Sequence, residues 1–330
     1  MTEPDEIARA AALLRAGELV AFPTETVYGL GADASNPQAV ARIFAAKGRP
    51  ADHPLIVHLP DAAYLDRWAV EIPEAARKLA AAFWPGPLTL ILKRGSTVPD
   101  AVTGGQNTVG LRVPNHPLAL ALLHEFKGGI AAPSANRFGR ISPTTAAHVA
   151  EEMGNSVAMI LDGGACEVGI ESTILDLSRG TPEILRPGVV GADEIAAVVG
   201  ASAKIREAGQ RPGTAEAPRV SGSLEAHYAP RTPLQLVAAE DLPRAIRDAC
   251  AAGQRIAVLA SRGAPNFDEK VIWQEIPASA AGFAHALYAE LRSLDALGCE
   301  RILVQQPPES IEWLAVADRL RRAAAGSGGA

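Results

Sequence analysis

The stretch Phe22-Pro23-Thr24-Glu25-Thr26-Val27-Tyr28-Gly29-Leu30-Gly31 follows an apolar run, Leu19-Val20-Ala21-Phe22, that reads as a short buried strand. After it, three side-chain hydroxyls and a carboxylate crowd into a few positions and give way to glycines. A strand end that turns polar and glycine-rich is where open α/β sheets place ligands. Taken alone, the stretch fits a turn with solvated hydroxyls equally well. Its weight comes from similar polar clusters at four later strand ends.

Working outward, apolar residues recur with helical and strand periods in alternation. Ile7, Ala10, Ala11 and Leu14 form a helical stripe closed by Gly17. Asn36-Pro37 reads as N-cap and first turn of a helix whose buried face is Val40, Ile43 and Phe44, ending at Lys47-Gly48-Arg49-Pro50. Strands are predicted at Pro54–Leu59, Leu88–Leu92, Thr108–Val113, Val157–Leu161, Ser172–Leu177 and Glu183–Pro187. Helices are predicted around Pro73–Phe83, Pro117–Glu125 and Thr145–Met153. Residues 207–232 are rich in Gly, Pro, Ser and Ala without periodicity and read as a linker. Beyond them, strands near Leu234–Val237, Arg255–Ala260, Val271–Ile276 and Arg301–Gln305 alternate with helical segments. The expected organisation is a larger mixed α/β domain over 1–206, a linker over 207–232 and a smaller Rossmann-like α/β domain over 233–330. No Gly-x-Gly-x-x-Gly fingerprint occurs, so no dinucleotide is assigned. The alanine- and glycine-rich end, Ala323 to Ala330, reads as a loose tail.

With 330 residues, 48% hydrophobic and 21% charged, the chain has a globular composition. A net charge of −6 argues against coating nucleic acid by charge alone, while leaving a local basic groove open. Cys166, Cys250 and Cys299 are too scattered for a zinc site or a disulfide framework. The acidic start, Met1-Thr2-Glu3-Pro4-Asp5-Glu6, has no secretory apolar region. No apolar run approaches the roughly 20 residues of a membrane helix. A cytoplasmic protein without membrane contact is expected.

The polar residues at the strand ends form a coherent set. Lys47 and Arg49 close a helix, where cations suit the dipole, and they are also placed to present a mobile point charge and a fixed fork to a polyphosphate. His58 sits on a strand with Ile56 on the same face; a lone strand histidine is most often structural. Thr108, Gly110 and Arg112 share a strand face, and a buried Arg112 needs an anionic partner such as a carboxylate. Ser134-Ala135-Asn136 follows a buried strand, and Ser142-Pro143-Thr144 stands at a helix start, where capping and anion binding are both open. Glu171-Ser172-Thr173 opens a strand and Arg186 closes one. There is no Gly-x-Ser-x-Gly elbow and no Walker A loop. Nor are carboxylates paired at metal spacing, so any Mg²⁺ is expected to arrive with nucleotide phosphates. Rich in hydroxyls and cations and poor in carboxylates, the set points to an anionic substrate.

In order along the chain, Pro23-Thr24-Glu25-Thr26-Val27-Tyr28-Gly29-Leu30, Lys47-x-Arg49-Pro50, Pro54-Leu55-Ile56-Val57-His58, Pro133-Ser134-Ala135-Asn136, Glu171-Ser172-Thr173-Ile174 and Arg186-Pro187-Gly188 resemble the threonylcarbamoyl-AMP synthase family in its long form. That form joins a YrdC-type catalytic domain to a C-terminal extension. The resemblance implies a twisted mixed sheet with a concave positive cleft. It also implies synthesis of threonylcarbamoyl-AMP, pyrophosphate and water from L-threonine, bicarbonate and ATP. The product would pass to a tRNA threonylcarbamoyl transferase complex. By the same resemblance Thr26, His58, Arg112, the Ala132 backbone and Ser172 would hold threonine. Lys47, Arg49, His53, Thr108, Ser134, Asn136, Ser142, Arg186 and Tyr228 would hold ATP. Lys47, Arg49 and Arg112 would act by positioning, without a covalent intermediate or a protein-bound metal. Two departures stand out: His53 replaces a common Asn, and Ser221-Gly222-Ser223-Leu224 replaces Ser-Pro-Gly-Met ahead of His227-Tyr228. The linker reads as a lid whose Tyr228 folds over the ATP site, or as a tether whose aromatic pair docks on the C-terminal domain. The rival function is a double-stranded RNA or tRNA binder using the same cleft.

Overall fold

Val20–Phe22 extends as β1, and the chain turns back at once so that β2, Gly29–Asp33, pairs with it antiparallel, Val20 opposite Gly31 and Phe22 opposite Gly29. The opening motif is therefore the loop of a hairpin. The sequence reading does not include β2, because glycine is depleted in strands and hides the alternation. The glycine is required here: a Cβ on Gly31 would lie 2.9 Å from the Phe22 ring, 2.9 Å from Ile130 and 3.0 Å from the Val20 carbonyl.

A computed structural model of the chain describes residues 4–206, 218–261, 263 and 269–328. Within it the hairpin belongs to a ten-stranded mixed sheet. The further strands are β3 (Ile56–His58), β4 (Leu88–Lys93), β5 (Thr108–Arg112), β6 (Ile130–Ala131), β7 (Met159–Ile160), β8 (Thr173–Asp176), β9 (Glu183–Arg186) and β10 (Lys204–Ile205). Their spatial order is β10-β9-β8-β4-β5-β3-β6-β2-β1-β7. The helix Ala192–Val199 and the short edge strand β10 extend the sheet past β9, where the sequence reading stops.

The helix Pro37–Lys47 starts as its composition demands. Asn36 accepts hydrogen bonds from the Gln38 and Ala39 N–H groups, Pro37 occupies the first turn, and Gly48 ends the helix at φ 64°. Its buried face carries Val40, Ile43 and Phe44 and also Lys47. The main core joins this helix to Leu30, Val57, Leu90 and Leu111 from the sheet and to Leu79 from the helix Glu74–Phe83.

Among the described residues the chain forms two compact units, one within Met1–Phe138 and Pro143–Ser223, the other within Gly139–Ser142 and Leu224–Ala330. In the second, β11 (Leu234–Val237), β12 (Ile256–Ala260), β13 (Val271–Glu275) and β14 (Arg301–Gln305) form a parallel sheet in the order β11-β14-β12-β13. The last helix, Leu314–Gly326, runs into what reads as a tail. Alanine is the best helix former, and Leu320 and Ala323 are buried, so the small residues there continue the helix.

Part of the linker reading, 207–217, lies outside the described residues. Pro218–Ser223 packs in the first unit. The Arg219 N–H donates to Gln106 Oε1 at 2.7 Å, its guanidinium to the Gly104 carbonyl at 2.8 Å, and Val220 is buried with Ile91, Ile174 and Leu185. Among the described residues no helix is long and apolar enough to cross a membrane.

Because Gly31 faces backbone as well as side chains, Gly31→Ala should destabilise the first unit by about 1–3 kcal/mol. Urea unfolding checks this, and a midpoint equal to the wild type would show that the hairpin has room the structure does not give it.

Candidate functional site

β3 and β5 run parallel with His58 opposite Arg112, which brings both side chains to the end of the sheet that the hairpin loop covers. The loop is built by Thr24. Its hydroxyl accepts the Thr26 and Val27 N–H groups at 3.2 Å, donates to the Val27 carbonyl at 2.6 Å and shares a hydrogen bond with Thr26 Oγ1 at 2.9 Å. Thr26 is thereby aimed at Arg112, whose Nη1 donates to its hydroxyl at 3.0 Å while Nε donates to the Gly86 carbonyl at 3.2 Å. Nη2 lies 2.8 Å from Glu25 Oε2, with both side chains almost fully buried. The contact is one of charge: neither Glu25 oxygen accepts a hydrogen bond of ordinary geometry. A site poor in carboxylates is thus a reading the structure corrects, since Glu25 and Glu171 are both buried in this unit. His58 packs edge-on against Phe22, and burial, with the Arg112 charge adding, lowers it to about 3. The ring is neutral.

A second cluster joins Ser172 to Arg186. Arg186 donates through Nε and Nη2 to the Ser172 carbonyl at 3.1 and 2.9 Å and through Nη2 to its hydroxyl at 3.1 Å. Thr89 Oγ1 shares a 2.8 Å hydrogen bond with the same hydroxyl. Arg186 Nη1 also donates to the Ser221 carbonyl at 3.1 Å, and Arg49 Nη2 donates to Ser221 Oγ at 3.2 Å and to the Pro54 carbonyl at 2.9 Å. The two arginines therefore converge on one residue of the linker stretch. Thr108 and Gly110 line a narrow cavity that Arg219, Val220 and Ser221 border.

Lys47 departs from expectation. It is buried, and its ammonium donates to the carbonyls of Ser134 and Asn136. Burial, and then the charge of Arg49, hold its pKa well below that of a free lysine. Lys47 braces the loop that carries Ser134 and Asn136; it is not a mobile surface charge. Ala132 donates its N–H to the Ile56 carbonyl at 2.9 Å. The His53 ring lies 5.3 Å from that of Phe138, and burial together with Arg49 lowers its pKa.

Ser142 and Tyr228 pack in the second unit. Ser142 is not the cap of the following helix; Thr145 is, accepting the His148 N–H. Tyr228, at φ 61°, is buried, stacks on Tyr288 at 5.7 Å and lies under the Arg319 guanidinium at 5.4 Å. That is the docking alternative for the aromatic pair. Among the described linker residues, Arg219 and Ser221 engage polar groups of the first unit. Three site residues escape the sequence reading: Glu25, Thr89 and Ser221. Glu25 stands between two threonines in the opening motif and Ser221 at the serine of the linker motif, which are their signals; Thr89 has none.

Comparison with known proteins identifies the family. The profile of the Sua5/YciO/YrdC family, described as telomere recombination, matches residues 12–188, and that of the threonylcarbamoyl-AMP synthase C-terminal domain matches 190–325. The threonylcarbamoyl-AMP synthase of Pyrococcus abyssi is 43% identical over 322 residues, covering 95% of this chain and 92% of the relative. That of Bacillus subtilis is 41% identical over 336 residues, covering 98% and 94%. The crystal structure of P. abyssi Sua5 complexed with L-threonine matches with a TM-score of 0.91 at 41% identity, covering 99% of this chain and 96% of that one.

The buried His58 makes a pH test available. Its folded pKa of about 3 lies below the ordinary 6.5, so between those values the unfolded chain takes up a proton that the folded chain refuses. Stability should therefore fall on acidification through this window, by up to about 1.4 kcal/mol per pH unit from this group. In urea titrations at stepped pH, His58→Asn should show a shallower loss than the wild type. Identical slopes would mean the ring is protonated in the folded state.

Proposed function

This chain belongs to the threonylcarbamoyl-AMP synthase family in its two-domain form, and from that premise we propose that it converts L-threonine, bicarbonate and ATP into L-threonylcarbamoyladenylate, pyrophosphate and water. The observation that carries the substrate assignment is the buried Arg112 with the Thr26 hydroxyl 3.0 Å away. A planar guanidinium pairs a carboxylate bidentately, and a hydroxyl beside it suits a hydroxy amino acid. In this reading Arg112 holds the threonine carboxylate, with Thr26, neutral His58, the Ala132 backbone and Ser172 around the rest of the molecule.

ATP, entering as its Mg²⁺ complex, falls to Arg49, Arg186, Thr108, Ser134 and Asn136, with Lys47 fixing the loop and His53, Ser142 and Tyr228 assigned by resemblance. Arg49 and Arg186 now share Ser221; phosphate oxygens would replace it, so the lid function proposed for the linker shifts from Tyr228 to Arg219–Ser221. Threonine nitrogen attacks the bicarbonate carbon, and the resulting carbamate oxygen attacks the α-phosphorus. Fixed cations offset the charge that develops there, and catalysis is positioning and electrostatic stabilisation. The adenylate would serve a transferase complex acting on tRNA in the cytoplasm. Family membership favours this reading over RNA binding alone.

Pyrophosphate release should require L-threonine and bicarbonate together, and L-valine should replace threonine about a thousandfold less well or worse, since a site that hydrogen-bonds a hydroxyl rejects an analogue lacking it. Equal release with valine would remove the threonine assignment.

Arg112→Ala should weaken threonine binding by about 30-fold or more while leaving ATP affinity within a few-fold, and Arg112→Lys should restore only part of it. Calorimetry decides this, and an unchanged threonine Kd in the alanine variant would assign the carboxylate to another group.

A further inference from the structure

The function proposed above leaves the buried carboxylates Glu25 and Glu171 unused, and Glu25 is the one that lies against Arg112. Glu25 is 3% exposed, and a carboxylate taken out of water costs several kcal/mol unless it is well paired. Its pairing here is incomplete. Oε2 lies 2.8 Å from Arg112 Nη2, yet neither oxygen accepts an aligned hydrogen bond. Thr24 and Thr26 flank it on its own loop. His116 and Cys166 are close enough for its charge to act on them, Glu167 also acts on His116, and burial is the first cause of both of their shifts: His116 lowered, Cys166 raised to about 12. The charged group in contact with Glu25 is Arg112. A buried carboxylate with spare lone pairs, set against a substrate anchor, calls for an explanation beyond packing.

We propose that Glu25 is the proton acceptor for the substrate amine as it attacks bicarbonate; this rests on the synthesis proposed above. An α-amino acid whose carboxylate sits on Arg112 carries its nitrogen on the adjoining carbon, beside the same guanidinium. Glu25 and Thr26 occupy two edges of that guanidinium, at 2.8 and 3.0 Å. The amine lone pair forms the N–C bond, and the nitrogen becomes cationic. Its N–H is then far more acidic than an ammonium and within a carboxylate's reach. Glu25 takes that proton and hands it to the hydroxyl group that leaves with the electrons of the broken C–O bond. Amine and bicarbonate thus become carbamate and water, with Glu25 ionised again and nothing oxidised or reduced. The other polar groups are less suited: Lys47 and Ser172 are hydrogen-bonded elsewhere, and the His58 ring is packed edge-on against Phe22.

The test is Glu25→Gln in the full chain, with thermal melting as the folding control and threonine and ATP affinities from calorimetry. Expected are a threonine Kd within a few-fold of the wild type and a kcat for pyrophosphate release lower by about 100-fold. The deficit should narrow by about tenfold or more from about pH 7 to about pH 9, as hydroxide takes over the proton, a trend that a packing role would not produce. A kcat within about threefold of the wild type, or a loss confined to threonine Kd, would overturn the proposal and leave Glu25 as a prop for Arg112. If the glutamine variant does not fold, Glu25→Asp takes its place, keeping the charge but withdrawing it by one methylene. A kcat loss of about tenfold at unchanged Kd supports the role, and an unchanged kcat overturns it. Wild-type protein inactive with threonine, bicarbonate and ATP would instead end the parent reading, so the two failures are distinguishable.

Discussion

A guanidinium buried at the end of β5 must be given partners, because an unpaired buried cation costs more than most single contacts return. Much of the first unit is arranged around that demand. The hairpin loop supplies Thr26 and Glu25, the turn before β4 supplies the Gly86 carbonyl, and β3 brings His58 alongside in neutral form. Two hydrogen bonds, from Nε and Nη1, and the ion pair at Nη2 together fix the orientation of Arg112.

The remaining cations follow a different logic. Lys47 is consumed in fixing the backbone of the Ser134–Asn136 loop, whereas Arg49 and Arg186 share a serine from a stretch without regular structure. A lysine buried on carbonyls is architectural; the two arginines tie a loop residue to the first unit. The contrast fits the chemistry of the side chains, since a guanidinium keeps its charge under burial while an ammonium readily loses it.

Much of this was legible in the chain. The helix Pro37–Lys47 carries its cap, its first-turn proline and its closing glycine in sequence, and the residues that meet in the site stand in short polar blocks at strand ends. What was hidden falls into two kinds. β2 was masked by Gly29 and Gly31, whose role is to let Phe22 and Ile130 close on the backbone; that requirement exists only once the strands are paired. The partnerships Glu25–Arg112, Thr89–Ser172 and Arg49–Ser221 join residues distant in the chain, and no local period encodes them. Lys47 reads in the sequence as a mobile charge for a ligand, but its burial makes it a brace for the Ser134–Asn136 loop.

The four residues Gly139–Ser142 belong to the second unit although both neighbouring segments belong to the first. The chain consequently passes between the units three times, and the linker is only one of the passages. A cut placed within the linker would therefore leave Gly139–Ser142, a piece of the second unit, on the first fragment.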